Sequence, residues 1–122
     1  MTATYTIYHN PRCSKSRQTL ALLEENNITP LVVEYLNDPP DAETLAALLD
    51  LLGLEPRGLM RAKEDEYKAA RLDDESKTDA ELIAGMIANP KLLERPVVVK
   101  DSGGQKQAVV GRPPENVLAL VD

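Results

Sequence analysis

Two periodicities run through this chain of 122 residues, a short one near both ends and a longer, helical one between them. Thr4–His9 (TYTIYH) is dense in β-branched and aromatic residues and halts at Asn10-Pro11, which predicts a strand followed by a turn. From Ser14 to Asn27 the apolar positions take helical spacing. Leu20 and Leu23, flanked by Ala21 and Leu22, form a stripe, and Asn26-Asn27 ends it. Leu31–Leu36 (LVVEYL) predicts a second strand, and Asn37-Asp38-Pro39-Pro40 a loop. Strand, helix and strand then form a βαβ unit, whose strands are expected to be parallel with a right-handed crossover.

Asp41 is placed to cap a helix running to Leu52, with Leu45, Leu48, Leu49 and Leu52 on its buried face and Gly53 as its stop. Residues 56–75 are polar and expected to be helical, around Leu59 and Met60. Thr78-Asp79-Ala80-Glu81 reads as a capping box, a hydroxyl followed three residues later by a carboxylate. The helix behind it carries Leu82, Ile83, Met86 and Ile87 on one face and ends at Asn89-Pro90. Pro96–Lys100 predicts a strand, Asp101-Ser102-Gly103-Gly104 a turn, and Ala108–Gly111 the antiparallel return. Pro113-Pro114 opens a last helix with Val117, Leu118 and Val121 inward. A parallel βαβ followed by an antiparallel ββα predicts an α/β, thioredoxin-like fold. It consists of a four-stranded mixed sheet with an all-helical insert, at about residues 41–93, between the halves. With no linker, repeat or low-complexity segment, residues 1–122 are read as a single domain.

Composition narrows what such a domain does. Hydrophobic residues make up 43% and charged residues 28%, as in ordinary soluble domains, which excludes disorder and collagen-like repeats. No apolar run approaches the roughly 18 residues of a membrane helix, and no signal peptide is visible. There are four Tyr but no Phe or Trp, so a base-stacking platform for single-stranded nucleic acid has almost nothing to draw on. The formal charge of −6 makes nucleic acid and anionic membrane poor non-specific partners. One cysteine cannot close an internal disulfide, which fits a reducing, cytoplasmic home.

The charge is uneven. Glu64–Glu81 holds eight acids against Lys68, Arg71 and Lys77, whereas His9–Arg17 (HNPRCSKSR) holds Arg12, Lys15 and Arg17 and no acid. That basic stretch surrounds the only cysteine, Cys13, and begins at the only histidine, His9. Cys13 follows a predicted strand and turn and directly precedes a predicted helix. The positive end of the helix dipole and its unsatisfied N–H groups favour thiolate there. His9 and the basic side chains are expected to add to the positive field. A free thiol with a pKa of ~8.5 falls to ~3.5–7.5 in such settings.

The same loop is a candidate oxyanion site, because amides at a helix start bind phosphate-like groups. A nucleophilic thiolate beside such a site suggests chemistry on a tetrahedral oxyanion. The cysteine-phosphatase pattern needs an arginine where Thr19 stands, and a dithiol motif needs a second cysteine where Ser16 stands. An oxidised or adducted Cys13 must therefore be released by an outside thiol.

YHNPRCSKSRQTL, followed by ERPVVV near residue 95 and GRPPE near residue 112, resembles the arsenate reductase family coupled to glutathione and glutaredoxin, in order and spacing and over essentially the whole chain. The likeness is to the short bacterial members. The resemblance implies an oxidoreductase in which the Cys13 thiolate attacks arsenate, glutathione acts as co-substrate, and glutaredoxin completes reduction to arsenite. No bound cofactor or metal is implied. Arg61, Arg95 and Arg112 correspond to the arginines that hold the oxyanion, with Arg57 a rival to Arg61. His9 corresponds to a histidine that helps keep the thiol ionised, Ser16 to a hydroxyl that bonds the thiolate, and Pro96 to the cis proline facing the cysteine loop. Two other readings stay open. One is a thiol-dependent reductase of a glutathione mixed disulfide. The other is a non-enzymatic, redox-responsive regulator that binds RNA polymerase, against which Ser16 in place of a second cysteine counts.

Overall fold

A computed structural model of the chain describes residues 3–94 and 96–121. The chain divides into two compact units: its two ends form one, and Pro39–Glu94 forms the other. The first unit contains a four-stranded sheet in the order β2-β1-β3-β4. Strand β1 (Thr4–Tyr8) pairs in parallel with β2 (Leu31–Val33) and antiparallel with β3 (Val97–Ser102), which turns back into β4 (Gln105–Val110). Helix α1 (Ser14–Glu25) connects β1 to β2, and a 3₁₀ helix, Pro114–Leu120, follows β4. Tyr5, Ile7, Leu23, Val98, Val117 and Leu120 form the core of this unit. Each fully buried aliphatic side chain there stabilises by about 1.5–3 kcal/mol. The Tyr5 hydroxyl donates to the Leu120 carbonyl at 3.1 Å, so the aromatic ring is buried with its polar end satisfied.

The α/β sheet architecture is the expected one, but several local expectations are corrected. Strand β2 stops at Val33 rather than Leu36, because Asn37 and Asp38 donate their amides to the Glu34 carbonyl and turn the chain. The hairpin is longer than expected, its ladder running to Ser102↔Gln105. Gly103 and Gly104 both have positive φ, 62° and 93°, which allows a tight two-residue turn of the hand that suits twisted strands. The last helix is 3₁₀ rather than α. With three residues per turn it buries Pro114, Val117 and Leu120 and leaves Leu118 43% exposed. On α1 the buried positions are Ser16, Thr19 and Leu23, whereas Leu20 and Leu22 are only half-buried and Ala21 is exposed. Two hydroxyls thus occupy a face expected to be purely apolar.

The second unit is helical. Asp41 caps α2 (Ala42–Leu52) by accepting from the Thr44 amide at 2.8 Å, and Gly53 ends the helix. Leu45, Leu48 and Leu49 are buried, while Leu52 is half-buried. Residues 56–75 are mostly not helical. They contain a short 3₁₀ turn, Pro56–Leu59, and a five-residue helix, α3 (Asp65–Ala69), joined by turns. The Thr78–Glu81 capping box is present and starts α4 (Asp79–Ala88), which buries Leu82 and Met86.

Candidate active site

The residues after β1 build a compact loop. Asn10 accepts the Cys13 amide on its carbonyl and the Arg12 amide on its side-chain Oδ1, each at 3.0 Å. Pro11 at the first corner supplies the φ that such a turn requires. Cys13 is then the N-cap of α1, with extended backbone (φ −93°, ψ 123°), and its carbonyl accepts the first helical hydrogen bond from the Arg17 amide at 3.0 Å. The amides of Ser14, Lys15 and Ser16 precede that first bond, as expected at a helix start. No acidic residue lies in the first turn, and the Arg17 Nη1 folds back to donate to the Pro11 carbonyl at 2.9 Å. The half-buried thiol therefore sits at the positive end of a three-turn helix in a basic loop.

His9 and Ser16 meet beneath this loop. Both are buried, and His9 Nδ1 shares a 2.6 Å hydrogen bond with Ser16 Oγ, which also accepts the Asn10 amide at 3.0 Å. Burial pushes the His9 imidazole below its ordinary 6.5; Glu34 opposes this shift and Arg17 adds to it. His9 is therefore neutral at pH 7 and adds no positive charge, contrary to the expectation from sequence. It acts as a neutral hydrogen-bonding group on Ser16. The Ser16 hydroxyl is engaged with His9 and Asn10, which ties the end of β1 to the first turn of α1.

One helical turn on, buried Thr19 donates Oγ1 to the Lys15 carbonyl at 2.8 Å and contacts the Gly111 carbonyl at 3.4 Å. Gly111 in turn donates its amide to the carbonyl of buried Pro96 at 2.8 Å. A Cβ at Gly111 would lie 2.6 Å from Thr19 Oγ1 and 2.9 Å from Pro96 Cγ, so only glycine fits this approach. Arg112 follows with an exposed side chain, and its carbonyl accepts from Asn116 Nδ2 at 3.2 Å. Its bond to Pro113 is cis. Pro113, Pro114 and Glu115 share an open groove of about 510 Å³ with Lys15, Gln18 and Leu22 of α1. The residues on either side of Arg112 thus lie along α1, the helix that begins after Cys13. Arg95 lies outside the described residues, as does the Arg95–Pro96 peptide bond. Asn10, Thr19 and Gly111 were not singled out from sequence; the only signal for Thr19 was its place three residues after Ser16 on one helix face.

The remaining candidate arginines lie in the second unit. Arg61 Nη1 donates to Glu94 Oε1 at 3.3 Å, and its Nε is 3.4 Å from Glu64 Oε1. Its amide donates to the Leu92 carbonyl at 2.7 Å, beside the Met60↔Leu93 bridge. Arg57 instead donates Nε and Nη2 to the Leu72 carbonyl and Nη2 to the Asp74 carbonyl at 2.7 Å. Three bonds to backbone carbonyls make Arg57 a staple of its own segment. Among the described residues, no three His, Cys, Asp or Glu side chains gather as a metal site, and no helix is long and apolar enough to cross a membrane.

A mixed sheet of this topology, with a lone thiol capping the helix after its first strand, defines a thioredoxin-like protein of the single-cysteine kind. The chain belongs to the ArsC family, which it matches over residues 8–120. It is 54% identical over 122 residues to the Escherichia coli K12 protein YfgD, covering 99% of each chain. It is 46% identical over 116 residues to an arsenate reductase of Neisseria meningitidis, covering 94% of this chain and 96% of that one. Among solved structures, an arsenate reductase from Vibrio cholerae superposes with a TM-score of 0.89 at 50% identity, covering 98% of both chains.

Proposed function

We propose that this protein is an arsenate reductase in which Cys13 is the nucleophile. The observation that carries the reading is the half-buried Cys13 at the N-cap of α1, in a loop with three cations and no acid, within the ArsC family. The thiolate attacks arsenic, an S–As bond forms, and a protonated oxygen leaves as water. Glutathione then attacks the adduct. Arsenic accepts two electrons overall, and the two thiols that supply them, one from glutathione and one from glutaredoxin, end as a disulfide. Cys13 is regenerated as arsenite leaves.

The anion is held by the amides at the start of α1 and by the guanidinium forks of Arg95 and Arg112. Support for Arg112 comes from the packing of its segment on α1, with Gly111 against Thr19 and Pro113 lining the same groove as Lys15. Neutral His9 and Ser16 hold the loop that presents the sulfur, and buried Pro96 lies behind Gly111. A cytoplasmic location, where glutathione is reduced, fits this chemistry.

Arsenite production, measured with glutathione and glutaredoxin both present and each omitted in turn, tests the reading. Turnover should need both thiol donors and should vanish in Cys13→Ser, whose hydroxyl is not ionised at neutral pH. Reduction of a glutathione mixed disulfide with no arsenite formed would move the substrate from the oxyanion to the disulfide.

A further inference from the structure

We propose that Asn10 is a positioning residue for the chemistry at Cys13, its three backbone and side-chain hydrogen bonds fixing the turn that sets the sulfur on the first turn of α1. The inference rests on Cys13 being the nucleophile. Asn10 is buried, although it lies in a polar loop. Each of its three bonds reaches a different part of the site. Its amide donates to Ser16 Oγ in the helix, its carbonyl accepts from Cys13 itself, and its Oδ1 accepts from Arg12, the cation next to the thiol. Through Ser16 it also joins His9, so β1, the turn and α1 are tied at one residue.

These bonds have a consequence for the anion. The amides of Arg12 and Cys13 are both used by Asn10, so they do not point outward as the successive amides of a phosphate-binding loop do. The donors left to face an oxyanion are those of Ser14, Lys15 and Ser16, the ones lying along the helix axis. Asn10 thereby selects the helix start, and not the turn, as the place where the charge sits.

The side chain must also be uncharged. Aspartate accepts the Arg12 amide with the same geometry and forms the same turn. It would, however, add a negative charge three residues from the thiolate and among the groups that bear on the loop: Arg12, Lys15 and Arg17 around the thiol, Glu34 after β2, and His9 at the end of β1. A carboxylate there disfavours a second anion nearby.

The test is the rate of Cys13 alkylation by iodoacetamide against pH, with kcat/KM for arsenate and amide exchange at Arg12, in full-length wild type, Asn10→Asp, Asn10→Ser and Asn10→Ala. Asn10→Asp should keep the Arg12 amide protected yet raise the thiol's titration midpoint by about one pH unit, slowing alkylation about tenfold at pH values below the wild-type midpoint. Asn10→Ala should lose that protection and lose kcat/KM by at least as much. Asn10→Ser, which still offers an acceptor to Arg12, should lie between wild type and Asn10→Ala. Wild-type alkylation profiles and kcat/KM in Asn10→Asp and Asn10→Ala overturn the proposal; should Asn10→Ala not fold, Asn10→Asp and Asn10→Ser decide it by the same readouts. A wild-type thiol that titrates like free cysteine would instead overturn the activated-thiolate reading on which the proposal rests, whatever the variants do.

Discussion

The two units handle polar groups in opposite ways. In the sheet unit they are buried: His9, Asn10, Ser16, Thr19 and Lys100 are the buried polar side chains among the described residues, and all belong to it. Lys100 stacks its ammonium 5.9 Å from the Tyr5 ring, and the other four hold the Cys13 loop and the approach of Gly111 to α1. In the helical unit the core is apolar, and the polar interactions lie at helix caps, in the bonds of Arg57 to the Leu72 and Asp74 carbonyls, and in ion pairs with partial access to water, as in Arg61–Glu64, Arg61–Glu94 and Lys91–Glu66. A buried polar group must be matched by a partner or it costs free energy, so it holds a single geometry. A solvated ion pair contributes little and can be exchanged. Cys13 therefore sits where position is most tightly specified, and the ion pairs of the helical unit contribute less to stability.

The comparison is tested most strongly at the anion. Arg112→Ala should lower kcat/KM for arsenate by roughly ten- to a hundredfold, the effect of losing a charge-assisted contact. Arg112→Lys should restore only part of it, because an ammonium lacks the planar fork. Unchanged arsenate kinetics in Arg112→Ala would remove this arginine from the site. Next in size, Thr19→Val should lower stability by about 1–2 kcal/mol at nearly constant volume, because it strips a buried hydroxyl from two carbonyls. Urea unfolding measures this, and a midpoint equal to wild type would break the claim that the buried polar face matters for stability.

A third distinction is in pH dependence. His9 is held below its ordinary 6.5 by burial, so its folded form takes up a proton less readily than its unfolded form. The stability linked to neutral His9 is complete above 6.5 and is lost as pH falls through the lower, folded value. In the helical unit Asp41 and Glu81 are held below their ordinary values by hydrogen bonds from the Thr44 and Thr78 amides. Their contribution is complete above the ordinary carboxylate range and is lost only as pH falls below it. Urea midpoints compared near about pH 7.5 and about pH 5.5 should therefore fall in wild type and stay nearly level in His9→Gln. Equal falls in both proteins would show that His9 is not the group responsible. Smallest of all, Glu64→Gln should cost below about 1 kcal/mol in thermal or urea unfolding, although Glu64 pairs with both Arg61 and Lys91. A larger loss would mean that the helical unit also depends on tightly placed charges.

Local signals sufficed wherever one residue type has one physical use. Asp41 and the Thr78–Glu81 box mark helix starts because their oxygens satisfy amides only a few residues away. Gly103-Gly104 marks the hairpin, and Pro11 together with the position of Cys13 marks a thiol at a helix start. The element order and hence the α/β topology follow from such signals. Long-range packing decided the rest. Which face of α1 is buried depends on what lies opposite it, and Ser16 and Thr19 are inward because the His9 end of β1 and the Gly111 carbonyl wait there as partners. The last helix is 3₁₀, so its period, and with it the exposure of Leu118, departs from the α-helical reading. His9 is neutral through burial, a property that no count of neighbouring charges along the chain contains. Sequence specifies these residues and their short-range bonds, whereas desolvation and partners more than ninety positions apart, such as Thr19 and Gly111, exist only once the chain has folded.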